Sequence, residues 1–283
     1  MNEVRYLRPR SIAEVTDVLA RRGGRILAGG TDFFPAQGEK PVTDLVVDLS
    51  GIRDLRKIET QSDHYRIGAC TTWSQIVAEP LPRCFDALKL AAREVGAIQI
   101  QNAGTVGGNL CNASPAADGV PPLLVLDAEV ELTSKDGARR LPLQEFITGN
   151  RRTLLRPNEI LTAVIVPRIR DNARSTFLKL GSRRYMVISI AMVAVTLTTD
   201  DAGIITDARV AVGACSPVAK RLPRLEAKLV GVRAAPGLSA LALPSDIDAL
   251  TPIDDVRATA SYRMDAALTV VRRALDSCAA GDL

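Results

Sequence analysis

Hydrophobic and polar positions along the chain follow two patterns, one typical of helices and one typical of short buried strands. Apolar residues recur at helical spacing over residues 12–19 and 85–95, with charged residues on the other faces. A short, mostly apolar run at residues 25–28 indicates a strand, and residues 44–49, which alternate little, indicate a buried strand. The N-terminal part of the chain is therefore predicted to run helix, strand, loop, strand, which is an α/β arrangement.

Residues that start helices and close turns divide the chain further. Ser-x-x-Glu at residues 11–14 and Thr-x-x-Gln at residues 72–75 are capping boxes, which predict a helix start at each place. The Lys-Asp-Gly sequence at residues 135–137 predicts a hairpin between two strands. The prolines at residues 121–122 predict the first turn of a helix, and Asp118 is positioned to cap it.

A polar run at residues 168–174 changes the composition of the chain, and we place a domain boundary there. The predicted domains are residues 1–170, with subdomains of about 1–57 and 58–170, and residues 171–283. Beyond the boundary the pattern predicts three strands and then two helices, at residues 176–180, 189–198, 204–212, 221–230 and about 254–278. The apolar stretch at residues 186–197 is interpreted either as core or as part of an interface.

A stretch of small residues, residues 102–118, shows neither a helix nor a strand pattern. Gly104, Gly107 and Gly108 fall close together in it, and clustered glycines mark backbone with unusual dihedral angles or close contacts. Backbone amides without a side chain in front of them form a concavity that suits an anion, most often a phosphate. This stretch is the first candidate binding site.

A second glycine stretch, Leu27-Ala-Gly-Gly-Thr-Asp32, follows the apolar run at residues 25–28. Thr31 offers a hydroxyl, and Asp32 is predicted to cap a helix that begins near Phe33. Two such stretches in one domain suit a ligand with two adjacent phosphates, although glycine pairs also form ordinary turns. Neither stretch has the Gly-x-Gly-x-x-Gly pattern or the Gly-Lys-Ser/Thr ending of a P-loop.

Composition and charge exclude several classes of protein. A hydrophobic content of 47% indicates a sizeable core, and a net charge of +4 without a basic run argues against nucleic-acid binding. Five scattered cysteines without a Cys-x-x-Cys pair predict no zinc or iron–sulfur site and a reducing compartment, the cytoplasm. No leader or membrane-spanning run is predicted. The single histidine, His64, offers weak support for hydrolase chemistry.

The two glycine stretches resemble the paired flavin-binding motifs of a known family. Leu27-Ala-Gly-Gly-Thr-Asp32 and Thr105-Val-Gly-Gly-Asn-Leu-Cys-Asn-Ala-Ser-Pro-Ala-Ala-Asp118 are similar to those of the FAD-binding medium subunit of molybdenum hydroxylases, the xanthine dehydrogenase and carbon monoxide dehydrogenase type. The resemblance covers nearly the whole chain. It includes Asn158-Glu-Ile-Leu161, Phe177-Leu-Lys179 and Val212-Gly-Ala-Cys-Ser-Pro-Val218.

The resemblance implies an α+β fold: a two-part FAD-binding domain of the vanillyl-alcohol-oxidase or PCMH type, then a smaller α+β domain with a three-stranded antiparallel sheet. It implies noncovalent FAD, since neither glycine stretch contains a histidine. The cofactor-binding residues that it implies are Leu27, Ala28, Gly29, Gly30, Thr31, Asp32, Ala103, Thr105, Gly107, Gly108, Asn109, Ser114, Asp118, Leu161, Lys179 and Tyr185. Leu161 and Tyr185 are expected beside the flavin ring, and Lys179 near its polar edge.

The resemblance also implies partners. The molybdenum cofactor is expected on a large subunit and [2Fe-2S] clusters on a small subunit, in a dimer of heterotrimers that reduces NAD+ or another acceptor. No metal site or catalytic residue is expected on this chain itself. Val95 occupies a position where some relatives have an aromatic residue near the adenine. The chain lacks the cysteine-rich insertion of the benzoyl-CoA reductase branch.

Two other functions stay open at this point. One is a standalone flavin oxidoreductase on the same fold, against which the absence of an acid–base pair near the glycine stretches argues. The other is a non-enzymatic nucleotide-binding module. For the holoenzyme substrate, xanthine is the leading hypothesis, because the C-terminal part resembles that branch most, with carbon monoxide and aldehydes as alternatives.

Overall fold

Four sheets organise the part of the chain that the structure, a computed structural model, describes: residues 5–169 and 172–281. The strands are β1 (Tyr6–Leu7), β2 (Arg25–Leu27), β3 (Val46–Asp48), β4 (Ile58–Thr60), β5 (His64–Gly68), β6 (Glu129–Ser134), β7 (Gly137–Pro142), β8 (Ile147–Gly149), β9 (Arg152–Thr153), β10 (Ile160–Pro167), β11 (Arg174–Leu180), β12 (Ala191–Thr199), β13 (Ile205–Gly213) and β14 (Lys220–Arg221). The predicted domain boundary at residue 170 lies outside the described residues.

The helices lie between and over these sheets. They are α1 (Ile12–Arg22), α2 (Phe33–Gln37), α3 (Trp73–Ala78), α4 (Asp86–Glu94), α5 (Ile98–Ala103), α6 (Val106–Asn112), α7 (Val120–Val125), α8 (Leu143–Phe146), α9 (Pro223–Leu229) and α10 (Ala260–Ala280). Short 3-10 turns occur at Leu49–Gly51, Arg53–Arg56, Arg83–Phe85, Leu238–Leu241 and Pro244–Asp246.

The N-terminal part contains a small parallel sheet and a larger antiparallel sheet. In the parallel sheet, β3 lies between β1 and β2 and pairs with both. The larger sheet has the order β4-β5-β10-β6-β7, and all its pairs are antiparallel. The hairpin predicted at residues 135–137 is confirmed, since β6 and β7 pair up to Ser134 and Gly137. A further two-stranded sheet joins β8 and β9.

Local capping determines where the early helices begin. Thr72 caps α3 in a full capping box, because its hydroxyl accepts from the Gln75 amide and the Gln75 side chain accepts from the Thr72 amide. Ser11 caps α1 through the Glu14 amide, at 3.2 Å. Asp32 occupies the N-cap position of α2, but its side chain makes no capping hydrogen bond, so that predicted role is wrong.

The expectation that residues 102–118 contain no helix is wrong. They include the end of α5 and the whole of α6, which runs straight through Gly107 and Gly108. Thr105 starts α6, because its hydroxyl accepts the Gly108 amide at 3.1 Å. Glycine disfavours helix by propensity, so a contact with Ala69 accounts for Gly107, whereas Gly108 lines a cavity.

The sheet of the C-terminal part is buried on both faces. The three long strands expected there are β11, β12 and β13, and the two-residue strand β14 extends the sheet to four. One face, with Met192 and Ala194, packs against the N-terminal part, in one core with Leu123 of α7. The other face, with Val193 and Val195, packs against α9 and α10. Most of the predicted apolar stretch at residues 186–197 is therefore core.

Helix α10 begins later than predicted, because residues 254–258 form a turn held by Arg263. The Asp255 carboxylate accepts from the Arg257 and Ala258 amides and from the Arg263 guanidinium, the last at 2.7 Å. Arg263 is buried and also donates to the carbonyl oxygen of Ile190 at 2.7 Å. These hydrogen bonds, with that of the Arg257 amide foremost, hold the pKa of the Asp255 carboxyl well below its ordinary value.

We expect Asp255→Asn to lower the free energy of unfolding at pH 7 by about 1.5–3 kcal/mol, since charge-assisted hydrogen bonds to Arg263 are lost. Because the folded-state pKa of Asp255 is depressed, its contribution is fully present above the ordinary value of 3.8 and is lost as pH falls through the folded-state value. Urea unfolding at pH 7 and at acid pH measures this. Asp201→Asn, at an exposed turn, is the control. A deficit that stays constant down to acid pH would contradict the assignment.

Candidate functional site

The two glycine stretches lie against each other and enclose a cavity of about 510 Å³. A Cβ atom added to Gly29 would lie 2.0 Å from the carbonyl oxygen of Ala103, so the backbones of the two stretches touch. The cavity volume is within the range of small-molecule and cofactor sites. The sequence prediction that one ligand is held from both sides therefore has a matching cavity.

The first stretch leaves β2 in a tight turn that only glycine permits. Gly30 has φ +75°, in the left-handed region, and a Cβ there would meet the Phe34 ring at 2.8 Å. Gly29 is held by the close backbone contact with Ala103. Both glycines therefore present bare backbone to the cavity, which suits close approach of a charged ligand group.

The second stretch is fixed to the segment that precedes and opens α3. Three backbone hydrogen bonds join them: Gly107 to Ala69 at 2.8 Å, Val106 to Thr71 at 3.0 Å, and Trp73 to Gly104 at 3.3 Å. A Cβ at Gly107 would lie 2.7 Å from both the Cβ and the carbonyl oxygen of Ala69. At Gly108 the only nearby atom would be the Thr105 hydroxyl, at 2.8 Å, so Gly108 opens toward the cavity.

One buried polar atom of the cavity wall has no hydrogen-bond partner within the described residues. The side-chain oxygen of Asn109 is buried and unpaired, although Asn109 lines the cavity. This oxygen lies toward Gly119, since a Cβ added to Gly119 would be 2.9 Å from it, so it belongs to the protein interior and not to the cavity surface. Bare backbone at Gly29, Gly30 and Gly108 around a cavity of this volume fits a dinucleotide such as FAD, which carries a diphosphate.

Ten of the sixteen predicted cofactor residues line this cavity. They are Ala28, Gly29, Gly30, Thr31, Asp32, Thr105, Gly107, Gly108, Asn109 and Leu161. Leu27 and Ala103 lie directly behind the wall. Leu27 precedes Ala28, and the Ala103 carbonyl group contacts Gly29. Ser114 lies outside the lining and accepts a hydrogen bond from the Ala116 amide at 3.3 Å.

Asp118 and Lys179 form a buried ion pair next to the cavity rather than in its lining. Lys179 Nζ lies 2.7 Å from Asp118 Oδ2, and the Ser189 hydroxyl donates to Asp118 Oδ1 at 2.8 Å. Asp118 therefore does not cap α7, whose N-cap residue is Gly119. Burial raises the pKa of the Asp118 carboxyl, against the opposing effect of the Lys179 ammonium.

The ion pair is connected to a second cavity of about 410 Å³. Lys179 lines it together with Glu94, Phe177, Arg183 and Arg184. Tyr185 lies beyond these arginines with 60% of its surface exposed, and the Arg184 guanidinium lies 5.2 Å from its ring centre. Tyr185 lines neither cavity, so its contact with a flavin stays a prediction.

Sequence reasoning missed several residues of the main cavity. Arg25 and Phe33 flank the first glycine stretch, and Cys70 and Cys111 lie beside the second. Burial raises the pKa of Cys70 to about 11 and that of Cys111 to about 12, so both thiols are uncharged at neutral pH. Val95, noted in the sequence for lacking an aromatic ring, does line the cavity.

Within residues 5–169 and 172–281, no group of three or more His, Cys, Asp or Glu side chains is arranged to hold a metal ion. None of the helices in this part combines the length and apolar character needed to cross a bilayer. His64 lies outside both cavities, and its Nδ1 is 2.8 Å from the Asp63 carboxylate.

The α+β fold and the paired glycine stretches around one cavity define an FAD-binding flavoprotein. Residues 2–169 match the family model described as the FAD binding domain in molybdopterin dehydrogenase, and residues 176–278 match the CO dehydrogenase flavoprotein C-terminal domain. The chain belongs to this family of FAD-binding molybdopterin dehydrogenase subunits. The resemblance and the fold class predicted from the sequence are thereby confirmed.

Relatives over most of the chain include two curated proteins and a solved structure. The nicotinate dehydrogenase FAD-subunit of Eubacterium barkeri is 32% identical, over 96% of this chain and 95% of that protein. The xanthine dehydrogenase FAD-binding subunit of Escherichia coli O157:H7 is 32% identical, over 78% of this chain and 77% of that protein. The structure of quinoline 2-oxidoreductase from Pseudomonas putida 86 matches with a TM-score of 0.90 and 26% identity. The match covers 99% of this chain and 98% of that chain.

Proposed function

We propose that this chain is the FAD-carrying medium subunit of a heteromeric molybdenum hydroxylase and relays electrons within it. The observation that supports this most directly is the composition of the main cavity. Its titratable lining consists of Arg25, Asp32 and two uncharged thiols, without a histidine or a nucleophile–base pair. Such a lining binds a cofactor but offers no group to activate a substrate.

The bound FAD supplies the redox chemistry, since it exchanges electrons singly or in pairs. The chain's own residues bind and orient it. In the proposal, the backbone of the first glycine stretch faces the diphosphate. Gly108 leaves room for that group, whereas the Gly107 and Gly108 amides already donate to Ala69 and to the Thr105 hydroxyl. Lys179, which is paired with Asp118 and lines the second cavity, would supply positive charge to bound FAD.

The partners in this proposal are a molybdenum-binding large subunit and a [2Fe-2S] small subunit, arranged as a dimer of heterotrimers in the cytoplasm. Electrons leave to NAD+ or to another acceptor. The holoenzyme substrate class that we propose is a nitrogen-containing heteroaromatic ring, of which xanthine is one member. Its support is that nicotinate, xanthine and quinoline name the three relatives described above.

We expect the chain expressed alone to be yellow and to release about one FAD per chain on heat denaturation. A visible spectrum followed by identification of the extracted flavin measures this. Purified without partners, it should not hydroxylate a heteroaromatic ring, because it lacks a substrate-activating group. A colourless chain that takes up no FAD in titration would refute the proposal, and turnover by the isolated chain would favour a standalone oxidoreductase.

A further inference from the structure

Strand β10 carries a β-bulge at the point where it reaches the main cavity. In the pairing of β10 with β6, Leu161 lies opposite Leu132. Ala163 already lies opposite Glu131, so Thr162 is an extra residue on β10. A bulge of this kind bends the strand and redirects its side chains, and such bulges are common next to functional sites. Leu161, directly before the extra residue, lines the cavity.

The extra residue decides which core Leu161 faces. In a regular strand, residues an odd number of positions apart point to opposite faces of the sheet. Leu161 nevertheless packs in the same core as Val164 and Val166, which lie three and five residues further along β10. The bulge therefore shifts the alternation by one residue. In an unbulged strand, Leu161 would point away from the core that it shares with Trp73.

The hydroxyl group of Thr162 holds the bulge to the polar face of β6. Thr162 is 1% exposed, and its hydroxyl donates to the Glu131 carboxylate at 3.0 Å. The Thr133 hydroxyl lies 3.0 Å away and acts as the donor to Thr162, whose own proton is directed at Glu131. Glu131 is fixed in turn, because Arg66 Nη2 donates to it at 2.9 Å. The side chain of Thr162 is thus anchored to two residues of the neighbouring strand.

The backbone of Thr162 is fixed on its other side. Its carbonyl oxygen accepts the Ala69 amide at 3.0 Å, directly after the end of β5. Ala69 lines the cavity, and its own carbonyl oxygen accepts the Gly107 amide at 2.8 Å. Thr162 is therefore held between β6 and a segment of the cavity wall, although it is not itself part of the described lining.

We infer that Thr162 is a positioning residue of the FAD cavity: its hydroxyl holds the bulge that turns Leu161 toward the cofactor. This inference rests on the proposed function and adds to it a residue that acts on the cofactor through Leu161. If the bulge relaxes, Leu161 moves away from the cavity wall and leaves a gap beside the cofactor. The cofactor then loses close contacts on that side, which weakens binding.

The test is titration of full-length variants with FAD, at a temperature where thermal unfolding shows each of them to be folded. Thr162→Val keeps the shape of the side chain but removes the hydroxyl, and it should raise the Kd for FAD about ten-fold. Thr162→Ser keeps the hydroxyl and should change the Kd by less than about two-fold. A role in stability alone would lower the melting temperature of Thr162→Val but leave its Kd for FAD unchanged, and that result would overturn the inference.

Leu161→Ala tests the route by which Thr162 acts. Once residue 161 is alanine, the bulge has no side chain to direct at the cofactor. Thr162→Val should then raise the Kd for FAD by less than about three-fold beyond the effect of Leu161→Ala. If the full effect of about ten-fold persists in that background, Thr162 does not act through Leu161.

Thr196→Val is the matched control, because Thr196 is a buried threonine of β12 that lies outside the described lining of the cavity. Its hydroxyl oxygen has no hydrogen-bond partner among residues 5–169 and 172–281. The same substitution there should leave the Kd for FAD unchanged. An equal rise in Kd for Thr196→Val would overturn the assignment to Thr162.

Thr133→Val keeps the inference testable if Thr162→Val does not fold. It removes the donor to Thr162 from a half-buried position on β6 and should raise the Kd for FAD about three-fold. Unchanged affinity of this variant would then overturn the inference. If the wild-type chain binds no FAD, the proposed function fails and this inference fails with it. If the wild type binds FAD and the Thr162 and Thr133 variants bind it equally well, this inference alone is wrong.

Discussion

A valine in place of Gly108 is expected to weaken FAD binding at least about 100-fold while the chain stays folded. The added side chain would project into the cavity and separate the ligand from the bare backbone. Displacement of the diphosphate from the first glycine stretch, with loss of two hydrogen bonds to a charged group, corresponds to at least that factor. Among the described residues the new Cβ meets the Thr105 hydroxyl at 2.8 Å, so this side chain has to shift and the N-cap of α6 is weakened. The Cβ meets no backbone, and valine is a better helix former than glycine, so the chain stays folded.

Gly107→Val is the matched comparison, because the same change one residue earlier meets backbone instead of a single side-chain hydroxyl. Its Cβ would lie 2.7 Å from Ala69, whose carbonyl oxygen accepts the Gly107 amide. Overpacking of this kind costs about 1–3 kcal/mol or more. Gly107→Val should therefore lower the melting temperature as well as the FAD content. Neither glycine has a positive φ, so forbidden backbone angles play no part, contrary to what the glycine cluster suggests.

FAD content after purification and thermal unfolding of the FAD-free chains separate the two variants. If the Gly108→Val variant keeps the FAD content of the wild type, the second stretch is an ordinary structural element. If the Gly107→Val variant has the melting temperature of the wild type, the contact with Ala69 is not tight.

Lys179→Met is expected to lower the free energy of unfolding of the FAD-free chain by about 3–5 kcal/mol, because it leaves Asp118 buried without a countercharge. The side chains of Lys179 and Asp118 are 6% and 10% exposed, so water cannot replace the lost partner. Burial already raises the folded-state pKa of Asp118, and removal of the ammonium raises it further. The deficit should therefore shrink as pH falls through that raised value, because protonated Asp118 carries no charge to bury.

The double variant Lys179→Met/Asp118→Asn separates loss of charge balance from loss of packing. It should be more stable than Lys179→Met alone, since burial of a neutral amide costs less free energy than burial of an unpaired carboxylate. Urea unfolding of both single variants, the double variant and the wild type gives the coupling free energy. Additive effects would show that the two side chains do not interact. Ser189→Ala should have a smaller effect, because one neutral hydroxyl donor is lost.

The sequence predicted features that depend on neighbours along the chain. Thr72 and Gln75 form their capping box within one helical turn, and the β6–β7 hairpin closes through adjacent residues. The glycine stretches indicated a two-sided binding site, and ten of the predicted residues surround one cavity. These successes share a cause, since the interaction that determines each feature lies within a few residues or in a long, specific motif.

The failures came from contacts between distant residues. Helix α6 was missed because Gly107 is explained by its contact with Ala69, in a segment that no local pattern links to it. Asp118 was interpreted as a cap because its true partners, Lys179 and Ser189, lie 61 and 71 residues further along the chain. Phe33 was interpreted only as a helix start, since its contact with Arg25 depends on how the first glycine stretch turns.

The C-terminal sheet, buried on both faces, limits how subunits of this family can be recombined. Phe177 of β11 and Ala211 of β13 belong to one core with Leu88 of α4 and Leu123 of α7. A chimera joined near residue 170 would set one parent's sheet against the other parent's helices. In a close-packed core, a change of a single methylene group at this contact between sheet and helices lowers stability. We therefore expect a stable chimera only when α4 and α7 come from the same parent as the C-terminal sheet.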